Sequence, residues 1–583
     1  MPSPLQQHAA KVMDLMKSGN FAQAAKTAKA GMKKFPKESN FANIAGMALA
    51  QMGNAREAVP YFLSAIKAAP REIAPQDNLI RALVTSGQHD KANDYINKYL
   101  PTRQNPAQLL FLRALSQERQ LDPEAVMKTA TSAIEADPNF APAYNIRGIA
   151  HNDLDMNAEA VSDFEKALEL NPNDPDPLVN IAVPLERLNR SEDARAALTR
   201  ALEIRPDYPL AMHKLAIYLT FSGDLENAGA QYLKLLQRDP MNGEAYAELV
   251  LAQPLEKNEE LKPGLETALI KTPKSSPQYA HMNLAMANIL FQEGEFKRAS
   301  RHFDIANSWE AKARKYDPAV DQEIFDKIVE RFPVGGEFPT GDDTSKPAPI
   351  FVVGLPRSGT TLTEMILTAH PDVQSCGELA AGNLLVTPVL EDETTFDPKA
   401  FAQDFRDMVP AMPDGKQAFV DKLPMNYRLV GFLMQAFPEA RFVNVARDPR
   451  DVALSMWRNY FPSGKMSFTY NLKHMAGFAN LYRRYWNHWE QIYGDRLLTI
   501  NYADIVSDVE AAGKKMANYC GIEWVPEMAS PERNKAKVRT ASLVQVRQKV
   551  HRKSVGGWRD MEEALKPFTD ALDKDLWSDF LSN

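Results

Sequence analysis

Along the first half of the chain, small, aromatic and proline positions recur at one interval. Pro36 and Pro70 lie 34 residues apart, and Pro138, Pro172, Pro206 and Pro240 continue the spacing. The clearest unit runs from Asn139 to Pro172, with Tyr144, Gly148, Ala160, Phe164, Ala167 and Pro172 in fixed places. Gly46, Ala58, Phe62, Ala65 and Pro70 repeat it upstream. Ala182, Ala194, Leu198, Ala201, Pro206 and then Ala216, Ala228, Tyr232, Leu235, Pro240 repeat it downstream. Weaker copies fall between Glu72 and Asp137 and at Ala287, Ala299, Phe303 and Ala306. Small residues let two helices approach closely, the aromatic fills the remaining gap, and proline stops the second helix. The pattern predicts about eight or nine helical hairpins before residue 310.

After these hairpins the period changes. Asp317 to Phe332 reads as one connecting helix, and Pro333 to Pro349 is rich in Gly, Pro and Asp, as a domain boundary is. Short β-rich runs then alternate with helical stretches: Ile350–Val353, Ala418–Val420, Arg441–Val445 and Leu497–Ile500. That alternation predicts a parallel α/β sheet. The expected division is 1–310 for the repeats, 311–348 for the connecting helix and linker, and 349–583 for the α/β domain. The repeat resembles the tetratricopeptide repeat, position by position. The resemblance implies an all-α solenoid whose concave groove binds a peptide or protein, with no catalytic role expected of it.

Composition narrows the function classes. A chain of 583 residues exceeds a single core, in keeping with two or more domains. The apolar fraction of 44% and charged fraction of 25% are those of an ordinary globular protein, and a formal charge of −7 argues against a general nucleic-acid binder. Two cysteines, Cys376 and Cys520, make neither a disulfide framework nor a metal cluster. The N-terminus lacks the basic and apolar blocks of a signal peptide, and no apolar run is long enough to span a bilayer. A cytoplasmic location without a metal is the expectation.

The candidate chemistry begins at Gly354-Leu-Pro-Arg-Ser-Gly-Thr-Thr361, between the strand Ile350–Val353 and a helix that begins at Thr361. A glycine-bearing strand-to-helix turn aims backbone N–H groups at one point, which suits a phosphate dianion. A nucleoside triphosphatase needs lysine where this chain has Thr360; the cation stands inside the loop instead, at Arg357. No second carboxylate strand for Mg²⁺ is evident, so a kinase-like phosphotransferase is disfavoured.

The segment Pro-Arg-Ser-Gly-Thr-Thr after an apolar strand resembles the 5′-phosphosulfate loop of sulfotransferases. These use 3′-phosphoadenosine 5′-phosphosulfate (PAPS) without a metal, and the resemblance assigns donor contacts to Arg357, Ser358, Gly359, Thr360 and Thr361. In that family an arginine at a strand end and a serine eight residues on hold the 3′-phosphate; Arg447 and Ser455 match in identity and spacing. Such a pair makes chemical sense, because guanidinium grips phosphate by parallel hydrogen bonds and a helix hydroxyl adds another. The competing expectation is that Arg447 pairs with Asp448 or Asp451. Near the C-terminus, 538–559 carries six basic and no acidic residues around a Gly-Gly-Trp turn. It resembles the cofactor loop of protein-tyrosine sulfotransferases, which implies Ser542 and Arg547 as further ligands. A solvated basic face is the plainer alternative.

Sulfuryl transfer needs a base near the acceptor hydroxyl and cations at the leaving oxygen. Cys376-Gly-Glu378 resembles the motif that carries the base in protein-tyrosine sulfotransferases and in bacterial repeat-fused relatives, which implies Glu378 as base. His370, in an Ala-His-Pro turn, is the rival and reads as a structural cap. Lys422, in Lys-Leu-Pro after a strand, matches the relatives' lysine at the transferring sulfonate. A lysine there would also face the ligand crevice of a parallel sheet, unless it is salt-bridged to Asp421. The functional expectation is a PAPS-dependent sulfotransferase, with Glu378, Arg357 and Lys422 catalytic and a protein or peptide tyrosine brought by the repeats. The alternative is a repeat scaffold with an inactive nucleotide-binding domain.

Overall fold

A computed structural model describes residues 3–188, 190–253, 255–461, 464–534 and 549–581. The chain packs as two compact units, Met1–Lys214 and Leu215–Asn583. The first is all helix, in successive hairpins. Its tetratricopeptide character is visible atom by atom: a Cβ added at Gly46 would stand 2.6 Å from the Phe62 ring, and one at Gly148 2.7 Å from Phe164. Only glycine lets the paired helices close onto those rings. Ala58, Ala65, Ala160 and Ala167, on the second helices, are buried. Helices end at Lys34, Ala68, Ala136, Leu170 and Ile204, and a phased proline follows two residues beyond each. One repeat departs from the pattern. Its first helix is split into Pro175–Asn180 and Ala182–Arg187, because Pro184 has no N–H to give Asn180.

The second unit starts with further hairpins, the last formed by Pro277–Gln292 and Phe296–Ala313. The connecting helix follows at Pro318–Arg331, and its Asp321 pairs with Arg428 at 2.9 Å. The repeat pattern and the compact packing therefore divide the chain at different places, since the last hairpins pack with the α/β half. Among the described residues no helix is long and apolar enough to cross a membrane.

The sheet has five parallel strands: β1 (Ala348–Gly354), β2 (Val373–Ser375), β3 (Ala418–Asp421), β4 (Arg441–Ala446) and β5 (Leu497–Asn501), in the order β2-β3-β1-β4-β5. Alternation along β1 feeds both faces. Ile350 and Val352 join a core with Met365, Ile366, Ile505 and Met516, while Phe351 stacks on Phe442 at 4.9 Å on the other side. A strand covered on both faces is apolar throughout, as Ile350–Val353 is. β2, only three residues long, was not foreseen. From β1 the chain moves to β2 and β3 on one side, and β4 and β5 lie on the other. The loops leaving β1 and β4 thus diverge, and a crevice opens at their carboxyl ends.

Candidate functional site

Four of the five strands have a polar residue at or just after their carboxyl ends (Ser375, Asp421, Arg447 and Asn501), and β1 leads through Leu355 and Pro356 to Arg357. The loop after β1 turns tightly, with Ser358 N–H donating to Leu355 C=O at 3.0 Å, and the helix Thr360–Leu367 begins at once. Gly359 has φ +113°, and a Cβ there would lie 2.4 Å from the Tyr502 ring. Arg357 itself adopts φ +72°. Ser358, Thr360 and Thr361 are buried, and the Ser358 hydroxyl has no hydrogen-bond partner. A buried polar atom left so is costly, and a ligand oxygen would satisfy it.

Arg357 Nε donates to Ser455 Oγ at 3.0 Å. Arg447 donates from Nη1 to the Arg357 carbonyl at 2.9 Å and from Nη2 to the Ser554 carbonyl at 2.7 Å, while its Nε is buried without a partner. Its guanidinium lies 4.4 Å over the Tyr502 ring, whose hydroxyl meets Ser554 Oγ at 3.0 Å. Arg447 therefore does not take Asp448 or Asp451. Asp448 binds Arg450 at 2.7 Å, and Asp451 accepts from the amides of Gly556 at 2.8 Å and Trp558 at 3.0 Å. Its hydrogen-bond partners are carbonyls, Asp451 and Asp448 act on its charge only through space, and its buried, unpartnered Nε is a donor that an anion would satisfy. Burial, and then the nearby Arg447 and Arg458, push Arg357 down to about 10, and burial likewise lowers Arg447 and brings Arg458 to about 10. Arg357, held down by burial and by two neighbouring guanidiniums, would be stabilised by a bound anion.

The second cluster lies at the ends of β2 and β3. Lys422 Nζ donates to Glu378 Oε1 at 2.5 Å. The backbone locks this arrangement: Cys376 N–H bonds Val420 C=O at 2.9 Å, and Lys422 N–H bonds Gly377 C=O at 2.7 Å. Asp421 is not the lysine's partner. It is fully buried and accepts from the amides of Leu379 and Leu423, each at 3.2 Å, and from Asn426 Nδ2 at 2.8 Å. Burial pushes its pKa up to about 7 against those donors and Lys422. Glu364, on the helix after the β1 loop, accepts from Ser375 Oγ at 2.7 Å and is raised by burial, with Lys422 and Glu378 beside it. His370 is buried and its Nδ1 accepts from Asp372 N–H at 3.1 Å, the cap of a turn.

The structure thus gathers Arg357, Ser358, Gly359, Thr360, Thr361, Arg447 and Ser455 around one loop and pairs Glu378 with Lys422. Ser542 and Arg547 lie outside the described residues. Sequence reasoning missed Tyr502, Ser554 and Arg458, and offered Asp451 only as a partner for Arg447. Asp451 alone carried a signal, in Arg-Asp-Pro-Arg-Asp, but its partners are over a hundred residues away. Among the described residues, no group of three or more His, Cys, Asp or Glu side chains is placed to hold a metal ion.

Residues 349–526 match the model of the Sulfotransferase family, and residues 10–73 and 154–216 match tetratricopeptide-repeat models. An uncharacterized protein of Aquifex aeolicus (strain VF5) is 27% identical over 376 residues, covering 61% of this chain and 49% of that protein. A protein-tyrosine sulfotransferase of Drosophila melanogaster is 25% identical over 206 residues, 30% of this chain and 38% of its own. Protein-tyrosine sulfotransferase 1 of Danio rerio is 26% identical over 259 residues, 39% and 64% respectively. The matches thus span less than two thirds of each relative's length. The chain carries tetratricopeptide repeats followed by a domain of the Sulfotransferase family.

Proposed function

We propose that this repeat-bearing sulfotransferase-family chain moves a sulfonate from PAPS to an acceptor hydroxyl, its catalytic domain being residues 349–583. The observation that carries the reading is the chain of contacts Arg447–Arg357–Ser455, which joins the loop after β1 to the loop and helix after β4. A nucleotide with phosphates at both 5′ and 3′ positions needs two anion subsites joined in this way, and the unpartnered Arg447 Nε and Ser358 hydroxyl fit that demand. Ser358, Gly359, Thr360, Thr361 and Arg357 would hold the 5′-phosphosulfate; Arg447 and Ser455 would hold the 3′-phosphate. Tyr502 packs against Arg447 and Gly359, and the charge of Arg458 acts on Arg357. Ser542 and Arg547 remain assigned as ligands on the family resemblance.

PAPS supplies an activated sulfur bonded to a good leaving group. Glu378 takes the proton of the acceptor hydroxyl as the acceptor oxygen bonds to sulfur. The bond between sulfur and the bridging phosphate oxygen breaks, and its electron pair stays on the departing nucleotide. Lys422 and Arg357 neutralise that oxygen as its charge grows. A general base of this kind contributes about 10²- to 10⁴-fold. The acceptor class proposed is a protein or peptide tyrosine recruited by the repeats, a reading supported by the tyrosine sulfotransferase relatives. Two cysteines with no disulfide between them suit a cytoplasmic setting.

The test is calorimetry of 3′-phosphoadenosine 5′-phosphate without Mg²⁺. Micromolar binding is expected; no binding, or tighter binding of Mg²⁺–ATP, sinks the donor assignment. Incubating the protein with ³⁵S-labelled PAPS and lysate, then separating proteins from small molecules, tests the acceptor. Label confined to small molecules removes the tyrosine proposal. Binding without any transfer returns the chain to the scaffold alternative.

A further inference from the structure

We infer that Asn288 and Asn307, on the last helical hairpin of the repeat region, are positioning residues for the donor site, an inference that rests on the donor reading above. Both are buried in the middle of helices, Asn288 in Pro277–Gln292 and Asn307 in Phe296–Ala313. Asparagine is a poor residue for a helix interior, and a buried amide must find partners. Each finds one in its own helix and one in the α/β half. Asn307 Nδ2 donates to Phe303 C=O at 2.9 Å and to Trp457 C=O at 3.0 Å. Asn288 Nδ2 donates to Leu284 C=O at 3.1 Å and to Arg458 C=O at 3.1 Å, while its Oδ1 accepts from Arg458 Nε at 3.2 Å.

The two far carbonyls belong to the end of the helix Pro449–Trp457, where main-chain acceptors have no partner within the helix. Asn459 Nδ2 takes the Ser455 carbonyl at 2.7 Å, so three asparagine amides close this helix end. Ring packing holds the same contact, with Phe303 5.2 Å from Trp457 and the Arg458 guanidinium 3.6 Å over Phe291. This helix starts two residues after Arg447 and carries Ser455, the partner of Arg357. Its rotation and axial position decide whether Ser455 meets Arg357, and Asn288 also fixes the direction of Arg458, whose charge acts on Arg357. A displacement of ~1 Å in such a device costs about 10²-fold in function. The hairpin is therefore part of the donor site's framework as well as the end of the solenoid.

The experiment measures the affinity for 3′-phosphoadenosine 5′-phosphate in full-length Asn307→Asp, Asn288→Ala and Ser455→Ala, and in the Asn307→Asp/Ser455→Ala double variant. Asn307→Asp keeps the shape and loses the donor; Asn288→Ala is the second route should the first fail to fold. Each single asparagine change is expected to weaken binding about tenfold, the size of a lost buried hydrogen bond. In the Ser455→Ala background the Asn307 effect should shrink below about threefold, because a positioning residue acts through the group it positions. Wild-type affinity in both asparagine variants overturns the inference. So does an undiminished tenfold loss in the double variant, which is the signature of general destabilisation. A wild-type protein that binds no nucleotide overturns the donor reading first, and this inference with it.

Discussion

Lys422 Nζ stands 2.5 Å from Glu378 Oε1, joining a lysine side chain that is 1% exposed to a carboxylate that is 42% exposed. The buried member is held by the sheet, and the exposed member reaches towards whatever enters the crevice. Glu378→Ala is expected to slow transfer by about 10²- to 10⁴-fold while changing nucleotide affinity less than about threefold. Single-turnover assays with ³⁵S-labelled PAPS read the first quantity and calorimetry the second. A fully active variant removes Glu378 from the role of base.

Arg447→Lys tests the geometry of the anion site with the charge retained. One ammonium cannot serve both the Arg357 and Ser554 carbonyls and still grip a phosphate in parallel. Nucleotide affinity should fall about 10- to 100-fold, the range of a charge-assisted hydrogen bond. Affinity equal to the wild type would show that Arg447 touches no phosphate.

Gly359→Ala should abolish nucleotide binding, since its Cβ would enter the Tyr502 ring in a backbone region that L-residues rarely adopt. Gly415→Ala is the control. Its φ is +86°, yet nothing lies within 4 Å of an added Cβ. It should lose about 1 kcal/mol of stability, as strained backbone does, and keep its affinity. Equal losses in both variants would reduce the Gly359 effect to backbone strain.

Asp421 sets a pH dependence of stability. Its folded pKa, about 7, lies above that of an unfolded aspartate, so folding takes up a proton between the two values. Its contribution is complete below the unfolded pKa of about 3.9 and is lost as the pH rises through 7. Asp421→Asn should flatten the melting temperature across this window. The new amide can be accommodated, because the buried Asn426 Oδ1 has no partner and could turn to accept from it. An unchanged slope would mean that Asp421 does not titrate there.

Both thiols should resist alkylation. Burial pushes Cys376 and Cys520 up to about 12, with Asp421 and Glu364 adding to the effect at Cys376. Thiolate is the reactive form, so a thiol reagent at neutral pH should label the unfolded chain twice and the folded chain hardly at all. Rapid loss of activity on alkylation would contradict this, since Cys376 lies two residues from Glu378.

Much of the molecule was legible because it is written in local patterns. A small residue facing a large one on the partner helix, as Gly46 faces Phe62 and Gly148 faces Phe164, and a proline two residues past a helix end recur along the repeats. β1, β3 and β4 appear as apolar runs because they are buried in the sheet, and the half-buried edge strand β5 shows as a short Leu and Ile run. β2 escaped because three residues, Val373–Ser375, are too few to show a period. At the site, Arg357, Glu378, Lys422, Arg447 and Ser455 were picked out by their resemblance to sulfotransferase motifs, but their pairings were not. Arg447 had adjacent aspartates to choose, and it binds the carbonyls of Arg357 and Ser554 instead.

The sequence by itself determined the helical repeats, the parallel α/β half and the glycine-bearing turn that leads from β1 into its helix. Each depends on interactions within a few turns or one strand, so a short window contains its cause. Tertiary structure decided that Lys422 meets Glu378 and not Asp421, that Tyr502 closes on Gly359, and that two asparagines of a repeat hairpin hold the helix of Ser455. Those contacts join segments dozens to more than a hundred residues apart. They form because every buried donor and acceptor must be satisfied at once, and that accounting closes only in three dimensions.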